Sequence, residues 1–200
     1  MPISGNSDRC PKRLVDIHSS IERCKVCPAM RPYLKFPGSS KGRSPQQVML
    51  VSEAPGKKSI DAGRYWMGTS GMRLRNILRE SGWKRDLGDL CYLTDVVKCW
   101  PQGEHSKNRA PSKMEISECM HHLLDEIAVI QPEIILACGA ISTNVLLGKK
   151  LKDVAWGNWE WKGIRVIAFP HPSSAGRDGN YLGYEKRLKG LFRSVIGMIR

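Results

Sequence analysis

A histidine between two prolines is the residue whose setting points most directly to chemistry. Residues 166–169 are apolar and have strand character, and they lead into Pro170, His171 and Pro172. Because proline fixes its own φ and restricts the residue before it, His171 is expected in a stiff, extended turn at the end of a strand. Such a turn presents one imidazole to a ligand, although a purely structural histidine fits the same pattern equally well.

Cysteines form the second set of residues that could do chemistry. A helix predicted over 14–21 would deliver Cys24 and Cys27, which have C-x2-C spacing, while Cys99 and Cys119 lie further along the chain. Four thiolates can ligate an iron–sulfur cluster or a structural zinc ion, and a zinc ribbon would more often contain a second C-x2-C pair. Seven cysteines without a secretion signal argue against a disulfide framework. Cys91 and Cys138 lie inside apolar strands and are predicted to be core thiols, and Cys10 is predicted to be a surface thiol.

Polar residues follow two further apolar stretches. The Ser-Glu-Ala-Pro-Gly run at 52–56 comes after a predicted strand, and Glu53 in it either serves a ligand or belongs to a solvated turn. Proline and glycine in this run would let the backbone approach a sugar or a base closely. Trp66 lies in a polar segment between two glycines, where the indole could stack on a base or belong to the core. Asp95 ends another predicted strand and could also cap a turn there.

The charge balance favours a polyanionic partner. The chain has 32 lysine and arginine residues against 19 aspartate and glutamate residues, which gives a formal charge of +13 at pH 7. Phosphate contacts release counterions, so a nucleic acid is the favoured partner, and a solvated basic surface is the alternative. No run of about 18 apolar residues is present, so no membrane span is predicted. Residues 1–9 lack the apolar segment of a signal peptide, which predicts an intracellular protein.

Strands and helices alternate along the chain, which predicts an α/β fold. Four core strands are predicted: 47–51, 91–97, 133–139 and 164–169. Strands connected through helices form a parallel sheet covered on both faces, and ligands bind at the carboxyl ends of its strands. Residues 156–161 alternate in polarity and predict an edge ribbon. The chain 1–200 is expected to form one domain, with a loose segment at 1–12.

Capping signals predict where two of the helices begin. Residues 57–62 are expected to form a polar loop, after which Thr69 or Ser70 caps the next helix. Ser112 and Glu115 have the spacing of a capping box, which predicts that a helix starts directly after Ser112.

Taken together, these motifs resemble the uracil-DNA glycosylase superfamily, and in particular its family 4, the iron–sulfur type. The resemblance runs from about residue 24 to the C-terminus. The motifs that carry it are, in chain order, Cys24-x2-Cys27, the runs 52–56, 63–68, 94–101 and 108–111, Cys119, and His171-Pro172-Ser173. The resemblance implies a three-layer α/β/α fold with a four-stranded parallel sheet. It also implies a monomer.

The resemblance further implies a cofactor and an activity. A structural [4Fe–4S] cluster would be held by Cys24, Cys27, Cys99 and Cys119. The activity would be the excision of a deaminated base, most simply uracil, from DNA in base-excision repair. The damaged nucleotide would be flipped out of the duplex, and the enzyme would hydrolyse its N-glycosidic bond without a lysine nucleophile.

The same resemblance assigns roles to individual residues. His171 would donate a hydrogen bond to the base carbonyl O2 as negative charge builds there, and Glu53 would position water near the sugar carbon. The base would be bound by Ala54, Trp66, Asp95 and His171, and Asp95 would also take part in catalysis. The residues expected to contact DNA are Lys98, Arg109, Ser173, Ser174 and Arg177.

Three departures from the family's pattern bear on substrate choice. Residues 57–59 are Lys-Lys-Ser where the family has an acidic run, Trp66 replaces phenylalanine, and Asp95 replaces asparagine. An asparagine amide matches both the N3–H donor and the O4 acceptor of uracil, whereas an ionised aspartate faces O4 with like charge unless it is protonated or bridged by water. An altered base preference is therefore the hypothesis, with hypoxanthine or xanthine as the alternative substrate base. Hypoxanthine presents the same donor and carbonyl pair as uracil, so Asp95 alone does not select it. A catalytically weak iron–sulfur protein that only binds DNA is the alternative from another class.

Overall fold

Five strands form the sheet at the centre of the computed structural model, which describes residues 14–27, 47–174 and 180–199. The strands are β1 (Val48–Ser52), β2 (Tyr92–Asp95), β3 (Ile134–Cys138), β4 (Asn158–Trp161) and β5 (Ile164–Phe169). Their spatial order is β2-β1-β3-β5-β4. The first four in this order are parallel, and β4 pairs with β5 in antiparallel orientation.

The predicted α/β class is confirmed, and the predicted strand count needs one correction. The four parallel strands are the four core strands expected from the sequence. The edge ribbon around 156–161 also joins the sheet, because Asn158 to Trp161 pair in register with β5. The sheet therefore has five strands instead of four. The loose segment predicted at 1–12 lies outside the described residues.

Seven α-helices are described, and they cover both faces of the sheet. They are α1 (Leu14–Arg23), α2 (Lys57–Ala62), α3 (Thr69–Glu80), α4 (Lys113–Ile130), α5 (Ala140–Leu147), α6 (Leu151–Val154) and α7 (Tyr181–Met198). Alternate residues of each strand point to opposite faces, so Val48 and Leu50 face α3 and α7, while Met49 and Val51 face α4 and α5. Helix α1 packs on α4 and buries Ile17 and Ile21. This arrangement gives the three layers implied by the family.

Two of the predicted helix starts differ from the structure. Residues 57–62 form the short helix α2 instead of a polar loop, and the chain leaves it through Gly63 at a positive φ of 60°. Helix α3 begins after Gly68, which has no side-chain cap, so neither Thr69 nor Ser70 caps it. A local pattern cannot reveal α2, because it buries only Ser59 and Ile60 against the rest of the fold.

The capping box at the start of α4 is confirmed. The Ser112 side chain accepts from the backbone N–H of Glu115, and the Glu115 carboxylate accepts from the backbone N–H of Ser112. Helix α7 begins at Tyr181, where the Asn180 side chain accepts from the Gly183 backbone N–H.

None of the helices in the described ranges combines the length and the hydropathy that a membrane-spanning helix needs.

We predict that the layer formed by α7 is stabilised by Phe192 at its buried centre. Phe192 is fully buried against the sheet, so Phe192→Ala is expected to lower the free energy of unfolding by about 3–5 kcal/mol. Urea denaturation followed by circular dichroism measures this loss. The matched control is Leu182→Ala on the same helix, since Leu182 is 79% exposed and its truncation should change stability by less than about 0.5 kcal/mol. Equal losses in the two variants would contradict the assigned packing of α7.

Candidate active site

The carboxyl ends of the parallel strands bring the predicted site residues to one edge of the sheet. Ser52 at the end of β1 pairs in register with Asp95 at the end of β2. Backbone hydrogen bonds continue past the strand ends, from Val96 N–H to the Ser52 carbonyl at 2.9 Å and from Val97 N–H to the Glu53 carbonyl at 3.0 Å. The two loops that leave β1 and β2 are therefore held side by side.

His171 lies at the same edge, directly after β5, in a turn that is fixed from three sides. The Arg73 guanidinium on α3 donates to the Pro172 carbonyl at 2.8 Å, and the Tyr184 hydroxyl on α7 donates to the Pro170 carbonyl at 3.2 Å. The Ser174 hydroxyl donates to the His171 carbonyl at 2.7 Å. The predicted stiff turn is thus present, and both flanking helices hold it.

The hydrogen bonds of the His171 ring define its tautomer. The Ser173 backbone N–H donates to Nδ1 at 3.2 Å, and the Ser173 hydroxyl lies 2.7 Å from the same nitrogen. Because a backbone N–H can only donate, Nδ1 is the acceptor, and the neutral ring carries its proton on Nε2. Burial lowers the pKa of His171 to about 4, so the imidazole is neutral at pH 7.

Trp66 covers the His171 ring. The two ring centroids are 5.4 Å apart, with an angle of 23° between the ring planes, and Trp66 is 7% exposed. Its backbone has a φ of 61°, a left-handed conformation that tryptophan rarely adopts. The indole Nε1–H is buried and has no hydrogen-bond partner among the described residues. A buried donor of this kind is costly, and a polar ligand atom at this edge could satisfy it.

Residues of α3 hold Trp66 in this unusual conformation. The Arg75 guanidinium donates to the Trp66 carbonyl at 2.6 Å and forms an ion pair with Asp86 at 3.0 Å. Gly71 allows the close approach, because a Cβ at this position would lie 1.6 Å from the Trp66 carbonyl oxygen. Sequence reasoning missed Arg75 and Gly71, since neither belongs to a motif and both act on a backbone atom of the loop before α3.

Asp95 is a buried carboxyl beside Ser52. It is 2% exposed, and the Ser52 hydroxyl donates to its Oδ1. Burial raises the pKa of Asp95 to about 7, and the hydrogen bond from Ser52 opposes part of this rise. Glu53 is half-buried in the adjoining loop, and burial raises its pKa as well. Ala54 follows it, half-buried, in the same loop.

Lys98 does not lie on the DNA-facing surface predicted for it. It is 2% exposed, and its ammonium group donates to Glu126, Thr94 and the Asp95 backbone carbonyl, each at 2.6 Å. The prediction that Lys98 contacts DNA is therefore wrong, because all three ammonium protons have partners inside the protein. Sequence reasoning also missed Glu126, which lies on an apolar helix face without a motif signal.

The other residues predicted to contact DNA differ in their exposure and in their hydrogen-bond partners. Arg109 forms two hydrogen bonds with the Glu115 carboxylate, at 2.7 and 2.5 Å, which lower the pKa of Glu115 to about 2. Arg109 thus extends the capping box of α4 instead of reaching freely into solvent. Ser173 is exposed and Ser174 is half-buried in the turn after β5. Arg177 lies outside the described residues.

The four cysteines predicted as ligands line a single pocket between α1, α4 and the loop after β2. Cys24 and Cys27 follow α1, Cys99 follows β2, and Cys119 projects from α4. The Lys98 backbone N–H donates to the Cys119 sulfur at 3.2 Å. Burial, and then the neighbouring sulfurs, raise the pKa of Cys99 to about 12. In the described part of the chain, no group of three or more His, Cys, Asp and Glu side chains has the geometry to hold a metal ion.

Comparison with known proteins assigns the chain to a family. The sequence profile described as the uracil DNA glycosylase superfamily matches residues 40–189, and the chain belongs to this superfamily. A protein of Pyrobaculum aerophilum named type-4 uracil-DNA glycosylase is 35% identical over 196 residues, which cover 92% of each chain. A protein of the same name from Thermotoga maritima is 35% identical over 158 residues, 76% of this chain and 79% of the relative. The resemblance found in the motifs is thereby confirmed.

We predict that the His171 imidazole stays neutral well below the usual histidine pKa because Trp66 and the surrounding loops exclude water. Nuclear magnetic resonance titration of the ring should give a midpoint of about 4, with His171→Gln used to assign the signal. Trp66→Gly preserves the left-handed backbone without strain and uncovers the ring, so the midpoint should move towards 6.5. A wild-type midpoint near 6.5 would contradict the burial assigned to this ring.

Proposed function

We propose that this protein is a DNA glycosylase of base-excision repair that hydrolyses the N-glycosidic bond of a flipped, deaminated base, most simply uracil. The observation that carries the proposal is the neutral His171 ring, whose Nε2–H is left as its donor by the hydrogen bonds at Nδ1. The ring lies at the same sheet edge as Trp66, Asp95 and Glu53. The relatives named type-4 uracil-DNA glycosylases support the choice of uracil.

The proposed chemical step depends on charge that develops on the leaving base. As the N-glycosidic bond breaks, negative charge accumulates on the base carbonyl O2, and the Nε2–H of His171 donates a hydrogen bond to it. A neutral donor suits this role, because it stabilises the anionic base without transferring a full proton. The tight turn around His171 holds the donor in place, so little reorganisation is needed during the reaction.

The remaining residues of the edge complete the proposed site. Glu53, half-buried after β1, positions the water that attacks the sugar carbon, and the adjacent backbone at Ala54 approaches the base. Trp66 stacks on the flipped base, and its unpartnered indole N–H gains a polar neighbour there. Since Trp66 covers His171, the indole has to shift when a base reaches Nε2.

DNA is the proposed partner, and the charge of the chain supports it. A formal charge of +13 favours binding to phosphates, and Ser173 with Ser174 lies in the turn next to the catalytic histidine. In the proposal this turn and Arg177 enter the minor groove and fill the gap left by the flipped nucleotide. Arg109 would contact DNA while it remains paired with Glu115. We propose that the protein acts as an intracellular, nucleoid-associated monomer.

A [4Fe–4S] cluster is the proposed cofactor, and the four thiols of the cysteine pocket are ligands that suit it. Four thiols line one pocket, and a backbone N–H donates to one of the sulfurs. Bound there, the cluster would supply a structural cross-link between the end of α1, the loop after β2 and α4.

One specific observation favours a substrate base other than uracil as the alternative. Asp95 occupies the position where the family has asparagine, and its buried carboxyl lies at the same edge as His171. An ionised carboxylate would weaken recognition of uracil, so hypoxanthine and xanthine belong in any substrate test.

We predict that loss of one pocket cysteine removes the cluster. Protein purified without oxygen should be brown, with visible absorbance and bound iron and sulfide, and Cys119→Ala should lose all three. The matched control is Cys138→Ala, because Cys138 is a buried thiol of β3 and does not line the pocket. A colourless wild-type protein with bound zinc would contradict the cofactor assignment.

We predict that the protein excises uracil and that excision requires His171. Oligonucleotides with a single uracil, hypoxanthine, xanthine or abasic site are incubated with the protein, cleaved with alkali and resolved on a gel. His171→Ala should slow excision by about 100- to 1000-fold, the effect of removing one donor to a developing anion.

The control for this assay is His121→Ala, since His121 is an exposed histidine on α4, and its rate should equal that of the wild type. Release of hypoxanthine or xanthine instead of uracil would favour the alternative base. Binding of all four oligonucleotides without any excision would contradict the glycosylase proposal and favour a protein that only binds DNA.

A further inference from the structure

We propose that Asp95 recognises the base as a neutral carboxylic acid, which offers one donor and one acceptor in place of the two groups of an amide. The inference rests on the proposed glycosylase function and concerns the same site. It would resolve why a carboxyl occupies the place where the family has asparagine. A neutral acid matches the N3–H donor and the O4 acceptor of uracil simultaneously, whereas a carboxylate has acceptors alone.

The hydrogen bond between Ser52 and Oδ1 orients the carboxyl of Asp95. In the proposal the Ser52 hydroxyl keeps its role as donor to Oδ1, and the acid proton is on Oδ2. Parallel pairing of β1 with β2 places the two residues opposite each other, which fixes the carboxyl in orientation. The acid then presents its O–H from one oxygen and a remaining lone pair from the other, the arrangement that an asparagine amide would present.

Burial is the main effect that favours the neutral form of Asp95. The titratable groups that act on its carboxyl come from each neighbouring element: Glu53 after β1, Tyr65 after α2, Lys98 after β2, Glu126 on α4 and Cys138 on β3. Lys98 is the cation of this set and favours ionisation, although its ammonium group pairs with Glu126 and donates to the backbone carbonyl of Asp95 instead of to its carboxyl. Glu126 and Glu53 oppose ionisation of Asp95. Burial raises the pKa to about 7 against the opposing effects of the Ser52 hydrogen bond and the Lys98 charge.

The consequence is a pH dependence of uracil recognition. Below the pKa of Asp95 the acid is neutral and complementary to uracil. Above it the neutral fraction falls, so kcat/KM for uracil should fall by about tenfold per pH unit. Asp95→Asn keeps a donor and an acceptor at every pH, so its kcat/KM should not show this fall.

The experiment measures kcat/KM for a uracil oligonucleotide between pH 5.5 and 9 with the full-length, cluster-containing protein. The wild type should lose activity above pH 7, and Asp95→Asn should retain it. Ser52→Ala removes the hydrogen bond that lowers the pKa of Asp95, so the midpoint of its profile should move to higher pH. A matching profile for wild type and Asp95→Asn would overturn the inference and leave the glycosylase function intact.

Thermal unfolding provides a readout that is independent of activity. The pKa of Asp95 is higher in the folded protein than in the unfolded chain, so its contribution to stability is lost as the pH rises through the folded-state pKa. The melting temperature of Asp95→Asn relative to the wild type should therefore be higher at pH 8 than at pH 5. An equal difference at both pH values would overturn the inference. A wild-type protein that excised hypoxanthine or xanthine but not uracil would overturn the inference alone. A wild-type protein that excised none of these bases at any pH would overturn the proposed function and the inference together.

Discussion

The buried ion pair between Lys98 and Glu126 is the interaction on which both candidate sites depend. Its two side chains are 1% and 0% exposed, and the ammonium group has three acceptors at 2.6 Å. Removing one partner of such a pair typically costs about 3–5 kcal/mol, because an uncompensated charge is left inside the protein. The Lys98 backbone N–H donates to Cys119, and its Nζ donates to the carbonyl of Asp95. One residue thus contacts the cysteine pocket and the candidate active site.

The same pair connects three elements of secondary structure. The second oxygen of Glu126 accepts from the Tyr92 hydroxyl on β2 at 3.0 Å, and that hydroxyl lies 2.9 Å from Nε2 of His18 on α1. A hydrogen-bonded path therefore runs from α1 through β2 to α4. Since α1 carries the C-x2-C pair at its end, the path holds the segment that a cluster would cross-link. A satisfied polar network of this kind fixes geometry more than it adds stability.

Sequence patterns predicted the candidate site residues at the carboxyl ends of the strands better than they predicted the contacts that position these residues. His171, Asp95 and Glu53 follow strands whose hydrophobic runs are plain in the sequence, and parallel topology requires such ends to meet. The burial of Lys98 was missed, because a lysine in a valine-rich segment shows no sign of its partner 28 positions later. The left-handed backbone of Trp66 was also missed, since it depends on Arg75 and on the absence of a side chain at Gly71. The first feature depends on a long-range contact, and the second depends on the way the loop folds back onto the start of α3; neither forms a recognisable sequence motif.

The protein as a whole is strongly basic, whereas burial favours the neutral forms of His171 and Asp95 at the candidate active site. This contrast suits the proposed reaction. The chain carries a formal charge of +13, yet at its candidate site burial keeps His171 neutral and shifts Asp95 towards its neutral form. In the proposal the positive charge of the protein attracts the DNA phosphates, whereas the flipped, uncharged base forms hydrogen bonds with the neutral His171 and Asp95. Residues 57–59, where the family has an acidic run, begin α2 with the exposed Lys57 and Lys58. With those carboxylates absent, the proposed chemistry depends more on stabilising the departing base at His171 than on activating water.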